Sequence, residues 1–138
     1  MAIIISSERG RMDVAAIHAY LTRSYWAEGI PLALVAKSIA NSLCFGAFDD
    51  ARQIGFARVV SDHATFAYLA DVYVLEEYRG QGISRQLMEA IVAHPDLQGL
   101  RRWHLATRDA HGLYEKFGFR RLKSPDRHME MVRDNPYR

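Results

Sequence analysis

The chain has 138 residues and a mass of 15.8 kDa, close to the commonest size of a single domain and long enough to bury about two thirds of its unfolded surface. Hydrophobic residues at 49% and charged residues at 25% exclude a disordered, collagen-like or low-complexity chain, and a net charge of +2 is too small an excess to mark a nucleic-acid binder. The single cysteine, Cys44, excludes an internal disulfide and a cysteine-only metal cluster and suits a reducing compartment, so the expectation is one cytoplasmic domain over residues 1–138.

The start, Met1-Ala2-Ile3-Ile4-Ile5, lacks a basic region and has too short an apolar run for a secretory leader, and the longest uncharged stretch, Ser38 to Phe48, is too short to cross a bilayer. Asp13 is placed to cap a helix running to about Ser24, with Val14, Ile17, His18 and Leu21 on one face. A loop over Tyr25 to Ile30 follows, and then a second helix with Pro31 in its first turn and Leu34, Val35 and Ile39 in period. From Leu43 the period changes to two, predicting an antiparallel meander of strands over 43–48, 53–60 and 65–75 joined by short turns. A helix from about Gly82 to Ala93 comes next, its apolar face carrying Ile83, Leu87, Met88 and Ile91. Arg102 to Ala106 reads as a short strand, His111 to Phe117 as a short helix, and Phe119 to Leu122 and His128 to Val132 as closing strands. The fold class is therefore α/β in the α+β sense: a mixed, mostly antiparallel sheet of 6–7 strands flanked by about four helices.

The segment from Asp71 to Ser84 is where chemistry enters, because a strand there passes through a glycine-containing turn into a helix. Without side chains at Gly80 and Gly82 the backbone can approach an anion, and successive amides can converge on it at the positive end of the helix dipole, with Arg79 adding a fixed charge. The turn is not a Walker A loop, and Arg85 stands where the third glycine of a dinucleotide fingerprint belongs.

Arg79-Gly80-Gln81-Gly82-Ile83-Ser84, preceded by Val72 and Val74, resembles the acetyl-CoA motif of the GNAT-type N-acetyltransferase family, [Gln/Arg]-x-x-Gly-x-[Gly/Ala], with Ser84 as a small variant of the last position. Gly112 to Phe119, with Leu113-Tyr114 and Gly118-Phe119, resembles the family's later Leu-Tyr-x-x-x-Gly-Phe signature. The resemblance implies that the amides of Arg79, Gly80, Gln81, Gly82, Ile83 and Ser84 hold the pyrophosphate of acetyl-CoA, and that the backbone of Val72 and Val74 holds its pantetheine arm between splayed strands. It also implies direct acetyl transfer to a primary amine of a small molecule or protein, with Tyr114 as general acid. Asp71, an acid in an apolar strand, is the candidate general base, although strict alternation turns it away from the face of Val72 and Val74 unless a bulge shifts the register. Tyr25, Trp26 and Glu28 in the first interhelical loop are the candidate acceptor-binding residues, an aromatic pair beside a carboxylate being suited to an ammonium group. The competing reading is a catalytically weak acetyl-CoA-binding module or sensor. The family's frequent pairing extends the expectation to a homodimer, while no nucleic-acid or membrane partner is expected. Cys44 in an apolar strand reads as a small hydrophobe, and the six histidines show no metal-ligand spacing, so no metal is expected.

Overall fold

The computed structural model describes residues 2–137. Its sheet has five strands, β1 (Ile3–Ser6), β2 (Leu43–Asp49), β3 (Arg52–Ser61), β4 (Phe66–Val74) and β5 (Arg102–Leu105), hydrogen-bonded in that order. Every pairing is antiparallel except the last, where β5 runs parallel to β4. The helices α1 (Val14–Leu21), α2 (Leu32–Ala40), α3 (Ile83–Ala93) and α4 (His111–Glu115) cover its two faces.

Local chemistry accounts for the helix ends. The Asp13 carboxylate accepts from the Ala16 amide at 3.0 Å, satisfying one orphan donor of α1. That helix stops at Leu21 rather than Ser24 because the Ser24 hydroxyl donates to the Leu21 carbonyl at 2.7 Å and accepts from the Ala27 amide at 3.1 Å, turning the chain into the following loop. Pro31 stands just before α2, its carbonyl accepting from Leu34 and Val35.

The sheet is buried on both sides, which is why β2 and β3 read as nearly continuous apolar runs. Ile83, Leu87, Met88 and Ile91 of α3 pack on Phe45, Ala47, Ile54, Val59 and Leu69, each large side chain contributing about 1.5–3 kcal/mol of transfer free energy. On the opposite face Ile17, Leu21, Val35 and Ile39 of α1 and α2 meet Cys44, Phe56 and Tyr73.

Two strand expectations need correction. Phe119 to Leu122 and His128 to Val132 are not strands: the second runs through solvent with Met129 98% and Met131 100% exposed, so its alternating pattern has no strand to pair with and no core to face. In exchange, Ile3–Ser6, considered in the sequence only as a leader, forms the outer strand β1 against β2. The described sheet therefore has five strands, not 6–7.

One irregularity positions everything that follows. In β4 two residues, Asp71 and Val72, oppose the single residue Ala57 of β3, and Asp71 takes φ +56°. This bulge inverts the alternation along β4. Ala67 and Leu69 face α3 before it and Val74 does so after it, which turns Asp71 and Tyr73 toward α1 and α2. The pairing of β4 with β5 ends at Leu69 opposite Leu105, so beyond it the two strands part.

Candidate active site

The glycine turn is built from backbone. After β4 the chain makes a short helical turn over Glu76–Tyr78, Arg79 donates its amide to the Glu76 carbonyl at 3.2 Å, and Gly80 and Gly82 take φ +79° and +76° before α3 begins. A Cβ on Gly80 would meet nothing within 4 Å, and one on Gly82 only the Arg85 guanidinium at 3.9 Å. The glycines are needed for their left-handed dihedrals, not for room. Among the described residues, none of the amides of residues 80–84 is spent on a protein acceptor. The first bond of α3 is Gln86 to Gly82 at 3.1 Å, and the amides ahead of it are free at the positive end of an 11-residue helix.

These amides open into a cavity of about 710 Å³ lined by Val74, Arg79, Gly80, Gln81, Gly82, Ile83 and Ser84, with Tyr20, Tyr73, Arg85, Leu113 and Lys116 around them. The charged side chains on this wall are all cations. Arg79 is held in place rather than reaching out, its Nε donating to the Val74 carbonyl at 3.1 Å and its Nη2 to the Tyr20 hydroxyl at 2.8 Å. Tyr20 in turn stacks on Tyr73, ring centroids 3.9 Å apart, so α1 braces the turn. Free amides, cationic walls and clear space above the glycines fit a diphosphate.

A second cavity of about 870 Å³ follows the same strand in the other direction, lined by Val72, Asp71, Trp26, Tyr25 and Tyr114 among others. Val72 borders this one and Val74 the first, so the part of β4 that has left β5 runs from one cavity to the other. The structure brings together all eight of the residues expected along this path on the two cavities' walls, together with Tyr25, Trp26, Asp71 and Tyr114, and leaves out Glu28, which is exposed and lines neither.

The bulge decides how Asp71 is used. One of its oxygens accepts from the Trp26 indole at 2.8 Å and the other from Arg58 Nε at 2.8 Å, while Arg58 Nη1 donates to the Ser42 hydroxyl at 3.1 Å. With side chains only 19% and 11% exposed, Arg58 and Asp71 form a partly buried pair that ties the interhelical loop to the sheet. Tyr114 on α4 is buried, and burial, reinforced by Tyr25 and Asp109, pushes its phenol up to about 12, so it keeps its proton at neutral pH. Burial raises Tyr73 as well. The Arg108 guanidinium lies over the Tyr25 ring at 3.9 Å, occupying one face that a bound ammonium would use.

Arg58, Tyr20 and Arg108 are site residues that sequence reading missed. A lone arginine in the apolar run from Ile54 to Val60 was a signal, since a charge there must find a partner. Tyr20 and Arg108 carried none. Among the described residues there is no group of three or more metal-ligand side chains, and no helix is long and apolar enough to cross a membrane.

Comparison with known proteins agrees with this geometry. A protein from Xanthomonas campestris pv. campestris of the GNAT family is 52% identical and superposes with a TM-score of 0.96 over 99% of this chain and 97% of its own. FG08082 of Gibberella zeae, a protein with an acetyltransferase name, is 29% identical over 136 residues, covering 82% of this chain and 76% of its own length. A Clostridium acetobutylicum structure solved with acetyl-CoA shares the fold at a TM-score of 0.70 with 16% identity, over 95% of this chain and 96% of its own. Residues 40–121, from the end of α2 past α4, match the family model of the acetyltransferase (GNAT) domain, and the chain belongs to that family of acyltransferase enzymes.

Proposed function

We propose that the protein transfers the acetyl group of acetyl-CoA directly to a primary amine. The observation that carries this reading is the continuity of the site: the unspent amides of residues 80–84 open onto the same edge of β4 that is free of β5 beyond Leu69, and that edge leads to Tyr114.

In this reading the amides of Gly80 to Ser84 hold the diphosphate, and the backbone of Val72 and Val74 holds the pantetheine arm as an added strand would be held. The thioester supplies an acyl group already activated toward an amine. A backbone N–H near Val74 stabilises the oxyanion as the C–N bond forms. The C–S bond then breaks, and the Tyr114 hydroxyl donates to the departing sulfur. A phenol at about 12 is a weaker acid than a thiol at about 8.5, so Tyr114 stabilises the thiolate chiefly as a donor, and the sulfur's proton comes in the end from the amine.

Asp71 borders the acceptor cavity, as a general base must, but each of its oxygens already accepts from one donor. That supports a positioning role, holding Trp26 over the acceptor end, with solvent taking the amine proton. Asp71→Asn separates the two roles: a positioning residue raises KM and leaves the pH profile of kcat in place, whereas loss of the acid limb of that profile would restore the base assignment.

The test of the reading is a titration of the purified protein with acetyl-CoA. Saturation is expected, and no binding at roughly millimolar acetyl-CoA, an interaction worth less than about 4 kcal/mol, would overturn it. Ser84, where the family motif has Gly or Ala, favours a second reading as a binding module with weak transfer. Thiol release with a panel of amines distinguishes the two.

A further inference from the structure

The acceptor cavity is electrically one-sided. Its lining holds three cations, Lys37, Arg58 and Arg108, and one acid, Asp71, which is tied to Arg58 at 2.8 Å. Among the described residues, Lys37 and Arg108 take part in no ion pair. The nearby acids do not redress the balance, because Glu28 and Asp109 are exposed and line neither cavity.

The two unmatched cations come from different elements. Leu34, Lys37, Ser38 and Asn41 follow the i, i+3, i+4, i+7 spacing of one face of α2 and its end, and all four line the cavity. The Ser38 hydroxyl is spent on the Val35 carbonyl at 2.9 Å and the Asn41 amide on the Lys37 carbonyl at 2.9 Å, so the Lys37 ammonium is the unengaged donor of that face. Arg108 arrives from the loop after β5 with its guanidinium carbon 3.9 Å from the Tyr25 ring centroid, and among the described residues no side-chain hydrogen bond or ion pair engages its donors, which leaves them available for bidentate pairing. A polyammonium acceptor would meet like charge from both elements and, among the described residues lining the cavity, find no free carboxylate.

We propose that the acceptor is an amine that also carries an anionic oxygen group, a carboxylate or a phosphate, which pairs with Lys37 and Arg108 while its apolar part lies against Trp26, Leu34 and Tyr68. The inference rests on the acetyl-transfer reading above and names the substrate class for the same site.

The experiment compares 4-(aminomethyl)benzoate with 4-(aminomethyl)benzamide, two acceptors of one skeleton that differ in the distal charge, with 2-aminoethyl phosphate and spermidine as further arms. The benzoate is expected to have a kcat/KM about tenfold above the amide, the scale of one charge-assisted hydrogen bond, and its advantage is expected to shrink in K37Q, in R108Q and in high salt. A higher rate with 2-aminoethyl phosphate than with the benzoate identifies phosphate as the favoured anion. Equal or better rates with the amide or spermidine, or an advantage that survives in both variants, would overturn the inference while leaving acetyl transfer intact. Calorimetric titration of the same amines into protein saturated with CoA reads the charge preference without turnover. Anion preference there with no thiol release from any amine would keep the anion site and overturn the transfer reading, and equal affinity for benzoate and amide would overturn the site.

Discussion

The two cavities that meet along β4 are made of different material. The wall around residues 80–84 is main chain aimed by two glycine dihedrals, and its function depends little on which side chains surround it. The acceptor wall is side chains, drawn from α2, β3, β4, the interhelical loop, the loop after β5 and α4, and held by the contacts of Arg58, Asp71 and Trp26. A backbone site can stay the same across a family because the ligand it grips is the same. A side-chain site can be rebuilt one residue at a time, and that is where specificity is set.

The contrast can be attacked from its most expensive contact downward. Arg58→Leu leaves the Asp71 carboxylate partly buried with only the Trp26 indole, and should lower stability by about 3 kcal/mol, as breaking a buried ion pair from one side does; thermal unfolding reads it. A loss under about 1 kcal/mol would show that the pair is solvated and that the acceptor wall is looser than described.

Next in size, Tyr114→Phe should cut kcat roughly a hundredfold while the affinity for acetyl-CoA changes little, since in the proposed reaction the phenol acts on the departing sulfur and not on the diphosphate. In the unaltered enzyme no alkaline loss of activity below about pH 10 should trace to Tyr114, because its phenol titrates only at about 12. Unchanged turnover in the variant would remove Tyr114 from the chemistry and move catalysis wholly onto backbone.

On the other wall, Gly82→Val forces a β-branched residue into φ +76°, a cost of about 1–2 kcal/mol, and should weaken acetyl-CoA binding roughly tenfold with no steric clash to blame. Gly82→Asn, which tolerates that conformation better, should recover most of the loss; equal damage from both would mean that space, not dihedral, is what the glycine provides.

The smallest effect belongs to the surface beside the turn. Arg23 holds Glu76 by a hydrogen bond at 2.8 Å and lowers its carboxyl to about 2. A depressed carboxyl stabilises the fold above its unfolded pKa of about 4.3 and loses that contribution as pH falls toward 2. Both partners are half exposed, so Glu76→Gln should shift the melting temperature only slightly at pH 7 and still less near pH 2, and high salt should erase even the difference at pH 7.

Reading the sequence found the backbone wall and only part of the side-chain wall, for a physical reason. Gly80, Gly82, Arg79 and the following helix are neighbours in the chain, so a local pattern carries the whole cradle. The three middle strands and all four helices were legible because each buries a periodic face. The closing strands over 119–122 and 128–132 show the limit: alternation alone cannot make a strand when no neighbour offers its hydrogen bonds. The same limit, reversed, hid β1, whose short apolar run becomes a strand only because β2 is there to pair with it.

What the sequence determined by itself is therefore everything with short range: the helical and strand periods, the capping by Asp13, the glycine turn, and the family pattern that runs through Arg79 and Tyr114. What only the tertiary structure decided is how Asp71 is spent, why Glu28 stands outside, and that Lys37 and Arg108 share a cavity with Trp26. The bulge that turned Asp71 depends on two residues of one strand pairing with one of another, and side chains far apart in sequence share a cavity only when packing brings them together, so no local pattern can encode either.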